Sequence, residues 1–159
     1  MSPPFDRTSP TSGRTSPTSG SAADCRACRG EWPPAETFIA DYGPASAYLY
    51  TDQFFPGWTV LVLKRHATEM WELERDERNV LMEGVTQVAR ALATVYEAKK
   101  MNYELLGNQL AHIHWHLIPR RADDPAPRMP VWTHTHEPLA LSPTEQRARI
   151  DAIRARLKK

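Results

Sequence analysis

The spacing of apolar and polar positions changes several times along the chain, and each change marks an element. Ala45-Ser-Ala-Tyr-Leu-Tyr50 reads as a strand, and Trp58-Thr-Val-Leu-Val-Leu-Lys64 is a nearly continuous apolar run of strand length. Between them Thr51 to Gly57 closes on the turn dipeptide Pro56-Gly57, so an antiparallel hairpin is predicted. The period then becomes helical. Leu81, Val85, Val88, Leu92 and Val95 or Tyr96 recur at steps of three and four, the stripe of one amphipathic helix from about Arg75 to Lys99. Lys99 and Lys100 are expected in its last turn, where cations suit the helix dipole. Two more strands are predicted, Asn102 to Leu106 and Ala111 to Ile118.

From Arg120 to Leu141 prolines at 125, 127, 130 and 138 deny the backbone regular hydrogen bonding, so an extended arm is predicted. Ser142-Pro143-Thr144-Glu145 then places a Ser cap, a Pro at the first helical position and a Glu three after the cap. A short C-terminal helix follows, with Ile150, Ile153 and Leu157 on its apolar side. Strands, one long helix and further strands predict an α+β fold: an antiparallel sheet with one long and one short C-terminal helix.

The N-terminus follows no such pattern. Arg7-Thr-Ser-Pro-Thr-Ser-Gly13 recurs unchanged at 14–20 and contains no aliphatic or aromatic side chain. With no apolar surface to offset about 1–2 kcal/mol of backbone entropy per residue, residues 1–22 are predicted to be a disordered tail. The period of seven is not a coiled coil, because it lacks apolar a and d positions. Residues 23–159 are expected to form one domain, with a core over 23–120 and the arm and final helix over 121–159.

Charge narrows the partners. A formal net charge of +1 supplies no broad field for a nucleic acid polymer or an anionic membrane. The longest aliphatic run, Val60 to Leu63, is far short of the roughly 20 residues that span a bilayer. No apolar stretch near the N-terminus resembles a secretory signal, and a cytoplasmic location is expected.

Candidate chemistry lies in Ala111-His-Ile-His-Trp-His-Leu-Ile118, where histidine alternates with large apolar residues. Alternate strand residues share a face, so His112, His114 and His116 are predicted on one surface and Ile113, Trp115 and Leu117 in the core. Such a row fits a metal site, or a nucleophilic site in which one imidazole attacks and another binds anion. Cys25-Arg-Ala-Cys28 is a second feature. In a chain without a signal peptide this spacing points to metal or redox chemistry rather than a structural disulfide.

The row His112-Ile-His114-Trp-His116-Leu-Ile118, followed by Pro119-Arg120, resembles the signature of the histidine triad family of nucleotide hydrolases and transferases. Asp52, Pro56-Gly57, Trp58 to Leu63, Lys64-Arg65-His66, the long helix and Gly107-Asn108 fall in that family's order, over about Cys25 to Arg120. The resemblance is to the bacterial, zinc-containing, diadenosine tetraphosphate hydrolase-like type. It implies that His114 is the nucleophile at the α-phosphorus of a nucleotide, that His116 contacts phosphate, and that Asp52 binds ribose. Asn108 stands where the family usually has Gln, as a phosphate or leaving-group contact of shorter reach.

The resemblance also implies a structural zinc held by Cys25, Cys28, His66 and His112; His134 and His136 are the alternative partners of the two cysteines. It further implies a homodimer in which Trp132 reaches the partner's site. Tyr50 and Phe54-Phe55 fit either a base pocket or the core. Hydrolysis of AMP-X, with X a nucleotide, an amine or another phosphate, is the leading expectation. A nucleotide-sensing module with little turnover and a nucleotidyltransferase are the alternatives.

Overall fold

The computed structural model describes residues 21–157, so the tandem repeat and the disorder expected of it lie outside the described residues. Five strands form one antiparallel sheet in the order β1-β2-β3-β5-β4. They are β1 (Phe38–Tyr42), β2 (Ala45–Leu49), β3 (Thr59–Leu63), β4 (Lys100–Glu104) and β5 (His114–Arg120). The helices are α1 (Arg75–Val95) and α2 (Pro143–Leu157), which gives the expected α+β class. Among the described residues no helix is long and apolar enough to cross a membrane.

The hairpin of β2 and β3 forms as its pattern predicts, with Ala47 opposite Leu61. Its loop closes where Trp58 N–H donates to Phe55 O at 3.2 Å, and Gly57 in that turn has φ +87°. Pro followed by a positive-φ glycine suits a type II turn. Only glycine fits here for a second reason: an added Cβ would run into the Tyr96 ring. β1 was not legible in the sequence. It is a five-residue edge strand containing Ala40 and Asp41, both poor strand formers, and a register shift between Phe38 and Ala40 breaks its alternation.

The long helix stops earlier than its apolar stripe predicts. Glu97 adopts φ +50°, and Ala98 N–H reaches back to Ala93 O at 3.0 Å, a capped C-terminus. Lys99 and Lys100 therefore lie outside the last turn: Lys100 begins β4 opposite Arg120, because the sheet pairing claims that backbone. The capping box of α2 is present, with Glu145 N–H donating to Ser142 Oγ at 3.3 Å and Ser142 N–H donating to Glu145 Oε2 at 2.9 Å.

Both helices cover one face of the sheet. Ala45, Ala47, Leu49, Leu61, Leu63 and Leu117 meet Leu81, Val85, Val88 and Leu92 of α1 and Ile150 and Ile153 of α2 in one core. Each large aliphatic side chain buried there contributes about 1.5–3 kcal/mol, against about 1 kcal/mol for a helix cap, so packing rather than capping holds α2. The other face is turned to the site. There Val60 pairs with His116 and Val62 with His114.

Candidate active site and metal centre

β5 is shorter than predicted at its start, so the three histidines are not on one regular strand. His114 and His116 belong to β5, whereas His112 lies in the bend before it, its N–H bonded to Leu110 O at 2.8 Å. The bend sends the His112 ring away from its neighbours and toward the cysteine turn.

There the Sγ atoms of Cys25 and Cys28 and one ring nitrogen each of His66 and His112 lie within 4.8 Å of one another. His112 Nδ1 is 3.3 Å from Cys25 Sγ and 3.6 Å from Cys28 Sγ, and His66 Nδ1 is 3.3 Å from Cys28 Sγ. Tetrahedral bonds of about 2.0–2.3 Å would set nitrogen and sulfur ligands about 3.5 Å apart, so the spacing fits a metal. The proton inventory fits too. His112 Nε2 is 2.7 Å from Leu63 O, and a carbonyl only accepts, so Nε2 carries the hydrogen and Nδ1 turns its lone pair to the sulfurs. Burial and the adjacent Cys25 thiol raise the Cys28 thiol above its ordinary pKa, a penalty that a bound cation would remove. The cluster could hold a metal ion. His134 and His136 are not part of it.

The same argument settles the two histidines of β5. His114 Nδ1 lies 2.6 Å from His112 O and must donate to it, which leaves the lone pair on Nε2. His116 is the reverse. The indole N–H of Trp58, which can only donate, reaches His116 Nδ1 at 3.0 Å, so the hydrogen of the neutral ring is on Nε2. The rings are 5.0 Å apart. Burial favours the neutral form of both: it lowers the His114 pKa from its ordinary 6.5, and burial with the neighbouring His114 pushes His116 down to about 3. An unprotonated acceptor therefore stands beside an N–H donor.

Both rings open into a cavity of about 490 Å³. Tyr50 and Trp132 wall it near His116, residues 106–110 form the facing loop with Asn108, and Arg26 and Trp32 come from the cysteine segment. Trp32 meets the His114 ring edge to face at 5.1 Å, and Trp132 meets His116 in the same way at 5.0 Å. Trp132 thus sits on its own chain's His116. Its seat is built by buried Val131 in the 3-10 turn Val131–Thr133 and by an indole N–H bond to Glu104.

Asp52 has partners other than the expected sugar hydroxyls. Its Oδ1 accepts from Phe54 N–H at 2.9 Å and Leu139 N–H at 3.0 Å, and its Oδ2 faces His136 Nε2 at 2.8 Å. It is not among the cavity walls, and in this arrangement it holds the arm. His136 in turn stacks on Phe54 at 4.1 Å, while Phe55 packs with Trp58, Ile118 and Val131 in a second apolar cluster. The arm is also fixed near its start, where the buried Arg120 guanidinium pairs with Asp124 and donates to Met129 O at 2.8 Å. Arg26, Trp32 and Trp58 as an orienting donor were missed in the sequence, and His136 was expected only as an alternative metal ligand, not as the partner of Asp52. The one available signal was Trp58 itself, since an indole in an apolar strand needs an acceptor.

A sheet with two neutral histidines of opposite tautomer on one strand, beside a Cys2His2 cluster, defines a class of protein, and comparison identifies it. Residues 35–123 match the HIT domain model, and the chain belongs to the histidine triad family. It is 32% identical to a histidine triad protein of Bradyrhizobium japonicum, with TM-score 0.69 over 77% of this chain and 92% of that one. It is 26% identical over 101 residues to the protein hit of Bacillus subtilis (strain 168), covering 60% of this chain and 68% of that protein. A Zn-bound histidine triad family protein from Mycobacterium smegmatis shares the fold, with TM-score 0.63 and 19% identity over 87% of this chain and 96% of that one.

Proposed function

We propose that the protein hydrolyses nucleotides of the form AMP-X through a covalent nucleotidyl-histidine intermediate. The observation that carries this is the tautomer pair: a lone pair on His114 Nε2 beside a hydrogen on His116 Nε2. His114 Nε2 attacks the α-phosphorus, the N–P bond forms, and the bond from phosphorus to X breaks with its electron pair leaving on X. His116 N–H and the Asn108 amide donate to the phosphate oxygens or the leaving group, where negative charge grows. Water then attacks the same phosphorus, the N–P bond breaks back onto Nε2, and the proton lost by water leaves to solvent. Free AMP results. A second nucleotide, as in diadenosine tetraphosphate, or an amine, as in a phosphoramidate, serves as X.

Zinc is the metal proposed for Cys25, Cys28, His66 and His112. All four tetrahedral positions would be filled by protein, so it would hold the cysteine turn against β5 and leave no position for water. Its role is structural.

The test is turnover of diadenosine tetraphosphate and of adenosine phosphoramidate by wild type and His114→Ala. Wild type is expected to release AMP, and an alkaline denaturing quench, which spares the acid-labile N–P bond, is expected to trap an adduct labelled from substrate carrying radioactive α-phosphorus. His114→Ala should form no adduct and lose at least about a thousandfold in kcat, as removal of a nucleophile does. Turnover by His114→Ala at the wild-type rate would overturn the proposal.

A further inference from the structure

We infer that Arg26 is the specificity-determining contact for the phosphates beyond the α-position, so that the site prefers dinucleoside polyphosphates to phosphoramidates. The inference rests on the nucleotide-hydrolase reading above and deepens it.

The cavity is polarised. At the His116 end its walls are aromatic, Tyr50 and Trp132, a setting for a flat nucleobase. At the His114 end stands Trp32, and the same chain segment brings Arg26 to the wall. Arg26 is the one lysine, arginine or carboxylate side chain among the residues that line this cavity. A substrate with several phosphates carries about one negative charge on each, and the other lining residues include no lysine or arginine to balance it. A guanidinium meets that demand, since its planar fork bonds two phosphate oxygens at once.

Arg26 is also held ready. It makes no ion pair among the described residues, and the nearby Glu31 is occupied by Arg29 through two contacts of 2.7 Å. Its carbonyl accepts from Glu31 N–H at 2.9 Å, and the turn that carries it is closed by Arg29 N–H donating to Cys25 O at 3.1 Å. It lies between Cys25 and Cys28, so a metal bound by both thiols would clamp the turn that presents it.

Two ratios test this. The first is kcat/KM for diadenosine tetraphosphate over that for adenosine phosphoramidate, in wild type, Arg26→Ala and Arg26→Lys. The second is the affinity for ATP over that for AMP, measured calorimetrically in the His114→Ala background with and without Arg26→Ala. Both ratios are expected to fall about tenfold in Arg26→Ala, the loss of one charge-assisted contact at an accessible site, and Arg26→Lys should recover part of each. Zinc content measured alongside should equal that of wild type. Equal losses on both substrates, or loss of zinc, would mean that Arg26 merely supports the turn, and would overturn the inference. Unchanged ratios with His114-dependent turnover intact would overturn it and leave the hydrolase reading standing. A fall in the affinity ratio in a protein that consumes neither substrate would overturn the hydrolase reading and leave the phosphate contact standing.

Discussion

The indole N–H of Trp58 donates to Nδ1 of His116 at 3.0 Å, and that single bond decides which nitrogen of His116 presents a hydrogen to the cavity. Trp58→Phe keeps an aromatic ring and deletes the donor. The buried Nδ1 then loses its partner at a cost of about 1–3 kcal/mol, and the ring is free to change tautomer. We expect kcat to fall about tenfold with a smaller change in KM, and the nitrogen chemical shifts of His116 to report a mixture of tautomers. Wild-type kcat with a changed tautomer would remove His116 from the chemistry.

Metal binding is predicted to be structural and close to one zinc per chain when the protein is purified without chelator. Stripping the metal, or Cys28→Ser, should lower Tm by several degrees and loosen residues 25–32, because the cluster ties that segment to His66 and His112. Metal analysis and calorimetry check this. A protein that binds no zinc at full stability would refute it.

The clasp between Asp52 and His136 should make the arm sensitive to pH. Burial disfavours the charged Asp52, but the N–H groups of Leu139 and Phe54 and the His136 ring outweigh it and lower its pKa. Burial likewise opposes charge at His136, yet the His134 carbonyl and Asp52 raise its pKa. The Asp52 contribution is complete above its unfolded value of about 3.9 and is lost as pH falls through the lowered one. The His136 contribution is complete below about 6.5 and is lost as pH rises through the raised one, so both act in full between about pH 4 and 6.5. Hydrogen exchange over residues 131–139, corrected for intrinsic rates, should be slowest in that window. His136→Phe preserves stacking on Phe54 and should abolish the alkaline loosening.

Gly57→Ala tests the turn. The added Cβ meets both the positive φ of +87° and the Tyr96 ring, so a loss of about 2–4 kcal/mol is expected by urea unfolding, with reduced activity because Trp58 follows directly. A change below about 0.5 kcal/mol would show that the turn relaxes without strain.

Most of the sheet was legible because its strands carry their own periodic pattern. The run Trp58 to Leu63 and the stripe from Leu81 to Leu92 each bury a continuous face, and a face buried by one element repeats at that element's period. β1 was not, since an edge strand of five residues with a register shift repeats nothing. The end of α1 was misplaced for a related reason. The stripe reports which residues are apolar, whereas the stop at Val95 follows from Glu97 at φ +50° and from the pairing of Lys100 with Arg120.

Alternation in the chain by itself determined that His114 and His116 would share one surface beside an apolar core, and the spacing of Cys25 and Cys28 determined that two thiols would sit close together. These are local facts, set by bond geometry over a few residues. Which ring joins the thiols, which nitrogen carries each proton, and which residues wall the cavity were decided only by tertiary structure. The partners concerned are distant in sequence: His112 with Leu63, Trp58 with His116, Asp52 with His136, and Arg26 with His114 and His116 across the cavity. A ring's tautomer depends on what faces its two nitrogens, and only the folded chain brings those groups within hydrogen-bond distance.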